Sequence, residues 1–421
     1  MSVRDVGPLT AAELLARESY GRLLAYLATR WRDVAAAEDA LSDAFAAALE
    51  NWPRSGVPSK PEAWLLTVAR RKLTDASRAE ARRQRDDLRA RLVEASTSVE
   101  LDTSFPDERL RLMLVCAHPA IDATVRPALI LQAVLGLEVK QMAGAFLLSA
   151  ETLNKRLVRA KAKIKASGMR FEEPETEDMA SRLQSLLEAI YAAYFIGREG
   201  ALVDGDTADE LGREAVYLSG VVAALLPNSA EALGFRALLL FCEARRPSQT
   251  SPAGEFVALL EQDPGGWDAE KMRTAYELLG RASALQARGP FQIEAAIQAA
   301  HCYRARTGSV PWKEVAALYQ SLVQEHPTVG AVVGMAVAIS HAENDPAKGL
   351  DLLRAFDPAI VRSYQPFWVG MSHLLEMDEQ DQEAARCLER ALGLTAHPRL
   401  KRYLAQRLSV LRRRVAHVEG E

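Results

Sequence analysis

The sequence predicts an all-α protein with more than one domain. Its 421 residues are 49% hydrophobic, which is enough for two or three cores at roughly 100 to 200 residues per domain. Most segments are rich in Ala and Leu, place apolar residues at helical spacing and contain few β-branched runs. Glycine and proline separate these segments, as they commonly do between helices.

Charge divides the chain near residue 170. Residues 1–170 contain 27 Lys and Arg against 21 Asp and Glu, whereas the remainder contains 25 against 35. Between them, the stretch FEEPETED at 171–178 combines acidic residues with a proline, which is typical of a linker. We therefore expect a basic N-terminal part and an acidic C-terminal part joined by this linker.

Composition and motif content exclude several classes of protein. No run approaches the roughly 18 apolar residues of a membrane span, and the N-terminus lacks the layout of a secretion signal, so we expect a cytoplasmic protein with no membrane partner. Cys116, Cys242, Cys302 and Cys387 are scattered, which argues against a disulfide, a zinc site or another cofactor; we interpret all four as buried. No paired-carboxylate, triad or phosphate-binding glycine-loop pattern is present, so an enzyme is the least expected class.

The segment AWLLTVARRKLTDASRAEARR, residues 63–83, predicts a basic amphipathic helix. Its apolar residues Trp64, Leu65, Val68, Leu73 and Ala76 fall near helical spacing. Cations fill most other positions: Arg70, Arg71, Lys72, Arg78, Arg82 and Arg83. Such a face is either solvated or bound to phosphates, and composition alone leaves both open.

The segment VKQMAGAFLLSAETLNKRLVRAKAKIK, residues 139–165, predicts a short helix, a tight turn and a longer helix. Ser149 can cap the longer helix, and Leu153, Leu157 and Ile164 form its inward stripe. Residues 140–170 contain eight Lys and Arg and a single acid, whereas a solvated face usually mixes the two signs. The pattern favours a helix-turn-helix whose second helix reads base edges in the major groove.

Residues 179–415 read as one amphipathic helix after another. The segments WKEVAALYQSLVQEHP and QEAARCLERALGLTAHP each close on a proline, Pro327 and Pro398, 71 residues apart. That distance is about two periods of the 34-residue tetratricopeptide (TPR) unit. The segment therefore predicts a TPR-like solenoid, whose usual role is binding or regulation.

Taken together, the motifs AEDALSDAF, WPRSGVPSKPEAWLLTVARRKLTD, LVCAHPAI and LNKRLVRAKAKI resemble domains 2 and 4 of extracytoplasmic function (ECF) sigma factors. More narrowly, the chain resembles the subgroup with a C-terminal TPR-like extension. The resemblance implies the following organisation: domain 2 at 1–83, a linker at 84–106, domain 4 at 107–170, the acidic linker at 171–178 and the TPR-like domain at 179–415. It also implies core RNA polymerase and promoter DNA as partners, with a further protein partner for the repeats.

The resemblance also assigns roles to individual residues. On the helix at 36–50, it implies polymerase binding by Glu38, Asp39 and Asp43. For the −10 element and capture of a flipped-out base, it implies the helix cations Arg70, Arg71, Lys72 and Arg78 and, from the loop 51–60, Asn51, Arg54, Ser55 and Lys60. For the −35 element, it implies Thr152, Asn154, Lys155, Arg156 and Arg159 near the groove and Lys161, Lys163 and Lys165 nearer phosphates.

We therefore expect an alternative sigma factor whose repeats regulate or support its activity. Two alternatives stay open from the residues alone. One is a helix-turn-helix repressor or activator with a TPR-like sensor, and the other is a TPR adaptor whose basic half binds RNA or acidic protein. The domain 2 motifs discriminate, because neither alternative needs a helix that holds an opened strand.

Overall fold

The computed structural model describes the following residues: 10–12, 15–16, 19–83, 108–143, 146, 148–167, 176–204, 206–395 and 397–418. Over these ranges the regular structure is helical, with one isolated bridge between Thr250 and Phe256, so the all-α prediction is confirmed. The predicted linker 84–106 lies outside the described residues. The chain divides into two compact units, Met1–Ile196 and Gly197–Glu421.

The first unit contains seven complete helices in its described part and the start of an eighth. They are α1 (Tyr20–Trp31), α2 (Val34–Ser55), α3 (Pro61–Arg83), α4 (Arg109–Cys116), α5 (Arg126–Leu135), α6 (Val139–Met142), α7 (Ala150–Ser167) and α8 (Thr176–Asp204). Local signals set several boundaries. The Asp33 carboxylate accepts the Ala36 amide at 3.0 Å and caps α2, and Gly136 ends α5 with a φ of 67°.

Helix α1 joins the two predicted sigma domains into one unit. It packs against α2 and α3, which belong to predicted domain 2, and also against α4 and α5, which belong to predicted domain 4. The approach to α5 is close at Gly21, where a Cβ atom would lie 1.7 Å from the Val134 carbonyl oxygen. Only glycine permits this backbone separation, so α1 and α5 depend on that residue for their packing.

Helix α8 crosses the boundary between the two compact units. The division falls at Ile196, and the first residues of α8, 176–178, coincide with the end of the predicted acidic linker. Within the first unit, the buried Arg182 side chain donates from Nη1 to the Leu114 carbonyl oxygen of α4 at 3.2 Å. The N-terminal part of α8 therefore belongs structurally with α4.

The second unit continues as helices that pack in chain order. They are α9 (Asp206–Leu225), α10 (Ala230–Arg245), α11 (Ala269–Ala284), α12 (Pro290–Thr307), α13 (Trp312–Glu325), α14 (Val329–Glu343), α15 (Pro346–Arg354), α16 (Pro358–Val361), α17 (Gln365–Met377), α18 (Asp381–Leu394) and α19 (Pro398–Val418). From α9 to α19 the principal contacts join each helix to one close to it in sequence. This nearest-neighbour packing is the architecture of an α-solenoid.

Capping residues and prolines mark the helix starts in this unit. Ser229, Asp268 and Thr328 each accept an amide of the following first turn, at 3.2, 3.0 and 3.1 Å. Pro327 lies just beyond the end of α13, as the repeat pattern predicts, whereas Pro398 is itself the first residue of α19. At that position proline loses no helical hydrogen bond.

The four cysteines are free. Cys116 and Cys302 are buried, but Cys242 and Cys387 are only partly buried, so the prediction of four buried cysteines is right for two. Burial raises the pKa of the Cys116 thiol to about 12 and that of Cys302 to about 11. None of the helices in the described ranges combines the length and apolar character needed to span a bilayer.

Candidate nucleic-acid interface

Helix α3 carries the first predicted cationic surface. The opposite face of this helix is a buried apolar stripe, which differs in part from the predicted one. Leu65, Leu66, Ala69 and Leu73 are at most 3% exposed. The spacing predicted Trp64, Leu65, Val68, Leu73 and Ala76, of which Ala76 is exposed. The sequence pattern was ambiguous because apolar residues occupy adjacent positions, and packing against α1 and α2 selected one phase.

The side chain of Trp64 anchors α3 to α2. Its ring meets that of the fully buried Trp52 edge-on, with 5.5 Å between ring centroids. Such an aromatic pair stabilises beyond the area it buries. Trp64 is therefore placed for packing, as the sequence favours, and the surface available to a ligand is formed by the cations farther along the helix.

The described cations of α3 differ in exposure and in partners. Arg71, Lys72 and Arg78 are exposed, and Arg70 is half-buried. Lys72 Nζ lies 2.7 Å from the Asp43 carboxylate of α2, an ion pair in which both side chains are more than half exposed. Surface pairs of this kind contribute little free energy, so Lys72 remains exchangeable with a phosphate. The side chains of Arg82 and Arg83 lie outside the described residues.

The segment 51–60 is not a loop throughout, and this part of the prediction is wrong. Helix α2 runs on to Ser55, so Asn51, Arg54 and Ser55 lie on its last turn and a half, and Lys60 lies at the end of the loop 56–60. All four are exposed. Asn51 donates to the Ala47 carbonyl oxygen at 2.7 Å and Ser55 to that of Asn51 at 3.0 Å, so both side chains face their own helix.

Helices α6 and α7 form the second predicted surface. A short helix is followed by residues 143–149, of which 144, 145 and 147 lie outside the described residues, and then by α7. The Ser149 hydroxyl accepts the Thr152 amide at 3.2 Å, so Ser149 caps α7 as predicted. Leu153, Leu157 and Ile164 are each 1% exposed and form the predicted inward stripe.

The outer face of α7 is polar and mostly cationic. Its exposed predicted residues are Thr152, Asn154, Lys155, Arg156, Arg159, Lys163 and Lys165. Lys155 pairs with Glu151 one turn earlier at 2.6 Å, with both side chains well exposed. In the described part of the chain Arg156, Arg159 and Lys163 have no ion pair. These three therefore present positive charge that no ion pair neutralises.

Lys161 and Lys165 point instead toward α2. Lys161 Nζ lies 2.5 Å from Glu38 Oε2, and their side chains are only 12% and 17% exposed. Lys165 Nζ lies 3.0 Å from Asp33 Oδ2, the carboxylate that caps α2. In this arrangement, two residues predicted to approach DNA neutralise carboxylates of the helix predicted to bind polymerase.

Glu38 is the most constrained of the predicted polymerase-binding residues. Burial raises the pKa of its carboxyl group, and the ion pair with Lys161 opposes that shift. The second carboxylate oxygen, Oε1, is buried and has no hydrogen-bond partner among the described residues. Asp39 and Asp43 are exposed. Because α2 begins at Val34, Glu38 lies beyond the first turn, and Asp33 caps the helix instead.

Two residues of this surface, Asp33 and Val158, were not predicted from the sequence. Asp33 was overlooked because the predicted helix began at residue 36, although an Asp before an apolar segment is an N-cap signal. Val158 is 59% exposed on α7, between Arg156 and Arg159, and thus out of phase with the buried stripe. An apolar residue displaced from the stripe of a basic helix is suited to contact a thymine methyl group.

Across the described ranges, no group of three or more His, Cys, Asp and Glu side chains could hold a metal ion. What the arrangement can do chemically is bind polyanions, through exposed guanidinium and ammonium groups on two helices.

Comparison with known proteins agrees with this view of the N-terminal helices. Sigma-70 region 2 matches residues 15–83, which contain α1, α2 and α3. A family of unknown function, DUF6596, matches residues 182–283. Uncharacterized protein R00370 of Rhizobium meliloti (strain 1021) is 32% identical over 427 residues, which cover 99% of each chain. This chain belongs to the R00370 family.

The similarity to R00370 extends over 99% of this chain. The Sigma-70 region 2 match at residues 15–83 of this chain indicates a sigma factor. Sigma-70 factors act in transcription initiation with core RNA polymerase and promoter DNA and are not themselves enzymes. The crystal structure of yeast Tom70 aligns over 97% of this chain and 85% of that one, at 11% identity and a TM-score of 0.29. A likeness this low carries no conclusion about the fold.

Proposed function

We propose that this protein is an alternative sigma factor of the ECF type with a TPR-like C-terminal domain. The observation that carries the proposal is that the region 2 match coincides with α1, α2 and α3, on which Arg71, Lys72 and Arg78 are exposed. A classical repressor with a repeat sensor needs no such domain. Binding to core polymerase would place its activity in the cytoplasm.

In this proposal the α3 face holds the opened −10 strand. Arg70, Arg71, Lys72 and Arg78 bind phosphates of the non-template strand, which makes the interaction strongly dependent on salt. Arg54 and Lys60, exposed at either end of the loop 56–60, approach a base that has left the stack. Extruding that base costs a few kcal/mol, which these contacts must offset.

The α7 face reads the −35 element through a helix-turn-helix. Asn154 and Arg156 lie in the first two turns of α7, where a recognition helix meets base edges. Lys163 lies farther along and contacts the backbone. Because phosphate contacts position a protein while base contacts specify sequence, Arg156 and Lys163 have different effects on specificity.

Activity in this scheme requires α2 and α7 to separate. While Lys161 and Lys165 pair with Glu38 and Asp33, the lysines cannot contact phosphates and Glu38 is hidden from polymerase. Core polymerase binding to α2 therefore competes with α7 for the same carboxylates. We infer that polymerase releases α7 for the −35 element.

The experiment is permanganate footprinting of a promoter by holoenzyme reconstituted from core polymerase and the full chain. We expect thymines at −10 to become reactive, and the variant Arg70→Ala/Arg71→Ala to reduce that reactivity while −35 protection is retained. Arg281→Ala/Lys313→Ala, which removes two exposed cations of the second unit, is the matched control. Tight duplex binding by the free chain, with no reactive thymines in holoenzyme, would favour a repressor instead.

We further propose that the repeats support activity rather than inhibit it. A test by truncation must respect α8, since Arg182 of that helix bonds to α4. The fragment should therefore end after Asp204, at the end of α8, and circular dichroism should first establish that it folds. A folded fragment that transcribes as well as or better than the full chain would refute support, and a more active fragment would indicate inhibition.

A further inference from the structure

The last helix, α19, has a charge unlike that of the unit to which it belongs. Its 21 residues contain seven Lys and Arg and no Asp or Glu. The rest of the unit, residues 197–397 and 419–421, contains 17 Lys and Arg against 29 Asp and Glu. Most of this unit repels polyanions, and α19 is the exception.

Three of the seven cations are neutralised by neighbouring helices. Arg407 pairs with Glu376 of α17. Arg412 lies 2.7 Å from Glu389 of α18. Arg414 lies 3.9 Å from Asp381, also of α18. These contacts fix α19 against the preceding helices along both edges of its buried stripe, which contains Leu404, Leu408 and Leu411.

Three other cations remain without a carboxylate. Lys401, Arg402 and Arg413 are exposed, and within the described residues none has an ion pair. Elsewhere in the unit, α11 shows the usual pattern, in which Arg273 is compensated by Glu277 four residues later at 2.8 Å. Since α19 has no acid of its own, no such compensation exists along it.

Two of these exposed cations, Arg402 and Arg413, share one face of the helix, and Lys401 is rotated from Arg402 by about 100°. Arg402 and Arg413 are 11 residues apart, which corresponds to about 17 Å of rise and a net rotation of only about 20°. Between them on this face lie the exposed residues Ala405, Gln406 and Ser409, and the opposite side is buried through Leu404. Gln406 Nε2 lies 3.5 Å from Glu255 Oε1. A linear polyanion along this face would meet positive charge at both ends.

The arrangement works against the stability of the free helix. Lys401 and Arg402 are the fourth and fifth residues of α19, near the end at which the helix dipole disfavours cations. They also repel each other and the nearby Arg399. A merely solvated face would not need cations at this end of a helix, whereas a bound anion would offset both penalties.

We propose that α19 binds the phosphate backbone of duplex DNA. Duplex DNA carries one charge per about 1.7 Å of axis, so the roughly 17 Å of this face spans about ten phosphates. Phosphate contacts carry no sequence information, so the contact is independent of sequence. The choice of DNA as the polyanion rests on the proposed function, which holds the chain at a promoter.

The test is binding of the full chain to a fluorescent 40-base-pair duplex of random sequence, measured by anisotropy at several KCl concentrations. The variant is Lys401→Gln/Arg402→Gln/Arg413→Gln. The control is Arg281→Gln/Lys313→Gln/Arg354→Gln, which removes the same charge from exposed positions on α11, α13 and α15.

We expect the α19 variant to lower the slope of log K against log salt by about 2 to 3 and to weaken binding at least tenfold at 0.1 M salt, as the loss of two or three phosphate contacts requires. The control should change neither quantity. Equal effects of variant and control, or no measurable binding by the unaltered chain, would overturn the proposal.

A parallel titration with core polymerase tests the alternative ligand of this face, an acidic protein surface. If the α19 variant loses affinity for polymerase but keeps its DNA binding, the face binds an acidic protein surface and the DNA proposal fails. If the unaltered chain binds no polymerase at all, the sigma-factor proposal fails, while the difference in salt slope still decides the role of α19.

Discussion

Replacing Lys161 with methionine is expected to loosen the contact between α2 and α7. The Lys161 and Glu38 side chains are 12% and 17% exposed and form an ion pair at 2.5 Å. Removing one partner of a buried pair costs about 3 to 5 kcal/mol, because the other charge stays buried without compensation. Methionine keeps the apolar stem in place, so the loss is chiefly that of the charge.

Separation of the helices sets an upper limit to this cost. If α7 leaves α2, Glu38 regains water, so the penalty cannot exceed the free energy of that opening. Either way, the amide hydrogens that report on the α2–α7 contact should exchange faster. A loss of about 3 kcal/mol corresponds to about 10²-fold faster exchange, at 1.36 kcal/mol per factor of ten.

The deficit should also depend on pH, with a defined sign. The pKa of Glu38 is raised by burial, and without Lys161 the contribution that opposes the shift disappears. An acid whose folded pKa exceeds its unfolded value binds more protons in the folded state, so stability falls as pH rises from the unfolded pKa of about 4.3 to the folded one. In the variant this window extends to higher pH, and acidification should reduce its deficit.

Hydrogen exchange of the full chain, read by mass spectrometry and corrected for intrinsic rates at each pH, measures these effects. Lys163→Met is the control, since Lys163 is exposed on the same helix. Adding Glu38→Gln to Lys161→Met should recover much of the loss, because the buried group is then neutral. Equal exchange in the Lys161 and Lys163 variants would refute the reasoning.

Three other outcomes are expected. Arg156→Ala should weaken binding to a matched −35 element by about 1 to 3 kcal/mol if Arg156 makes a bidentate base contact. Lys163→Ala should weaken binding to matched and scrambled elements alike. If the Arg156 variant also lost the same affinity for matched and scrambled elements, Arg156 would have no base-reading role. Gly21→Ala should lower the thermal midpoint of the first unit, because its Cβ would lie 1.7 Å from a carbonyl oxygen of α5; an unchanged midpoint would contradict the close packing. Burial lowers the pKa of His301 to about 4, so its contribution to stability should be lost as pH falls from about 6.5 toward 4, and His301→Phe should flatten that part of the urea-unfolding profile.

The elements that follow from short stretches of chain were predictable from the sequence. The inward stripe of α7 and its Ser149 cap were both anticipated, because each depends on residues within a few positions of one another. The stripe of α3 was predicted only in part, because Leu65 and Leu73 are buried as the spacing indicated but Ala76 is exposed. Apolar residues stand side by side there, and only packing against other helices could choose between them.

The course of α2 through Pro53 likewise depended on tertiary contacts. The resemblance implied a loop at 51–60, and a proline such as Pro53 does not favour a continuing helix. The neighbouring Trp52 is 1% exposed and packs edge-on against Trp64, and Gly56 donates its amide to the Trp52 carbonyl oxygen at 2.9 Å. These contacts extend the helix to Ser55.

The sequence determined which residues carry charge and which helices display it, since both depend on local spacing. Tertiary structure alone decided how that charge is used. Glu38 and Lys161 are 123 residues apart in the chain, and no periodicity connects them. Their pairing exists because α1 holds α2 and α5 in one unit, and because a carboxylate removed from water there requires a counter-charge.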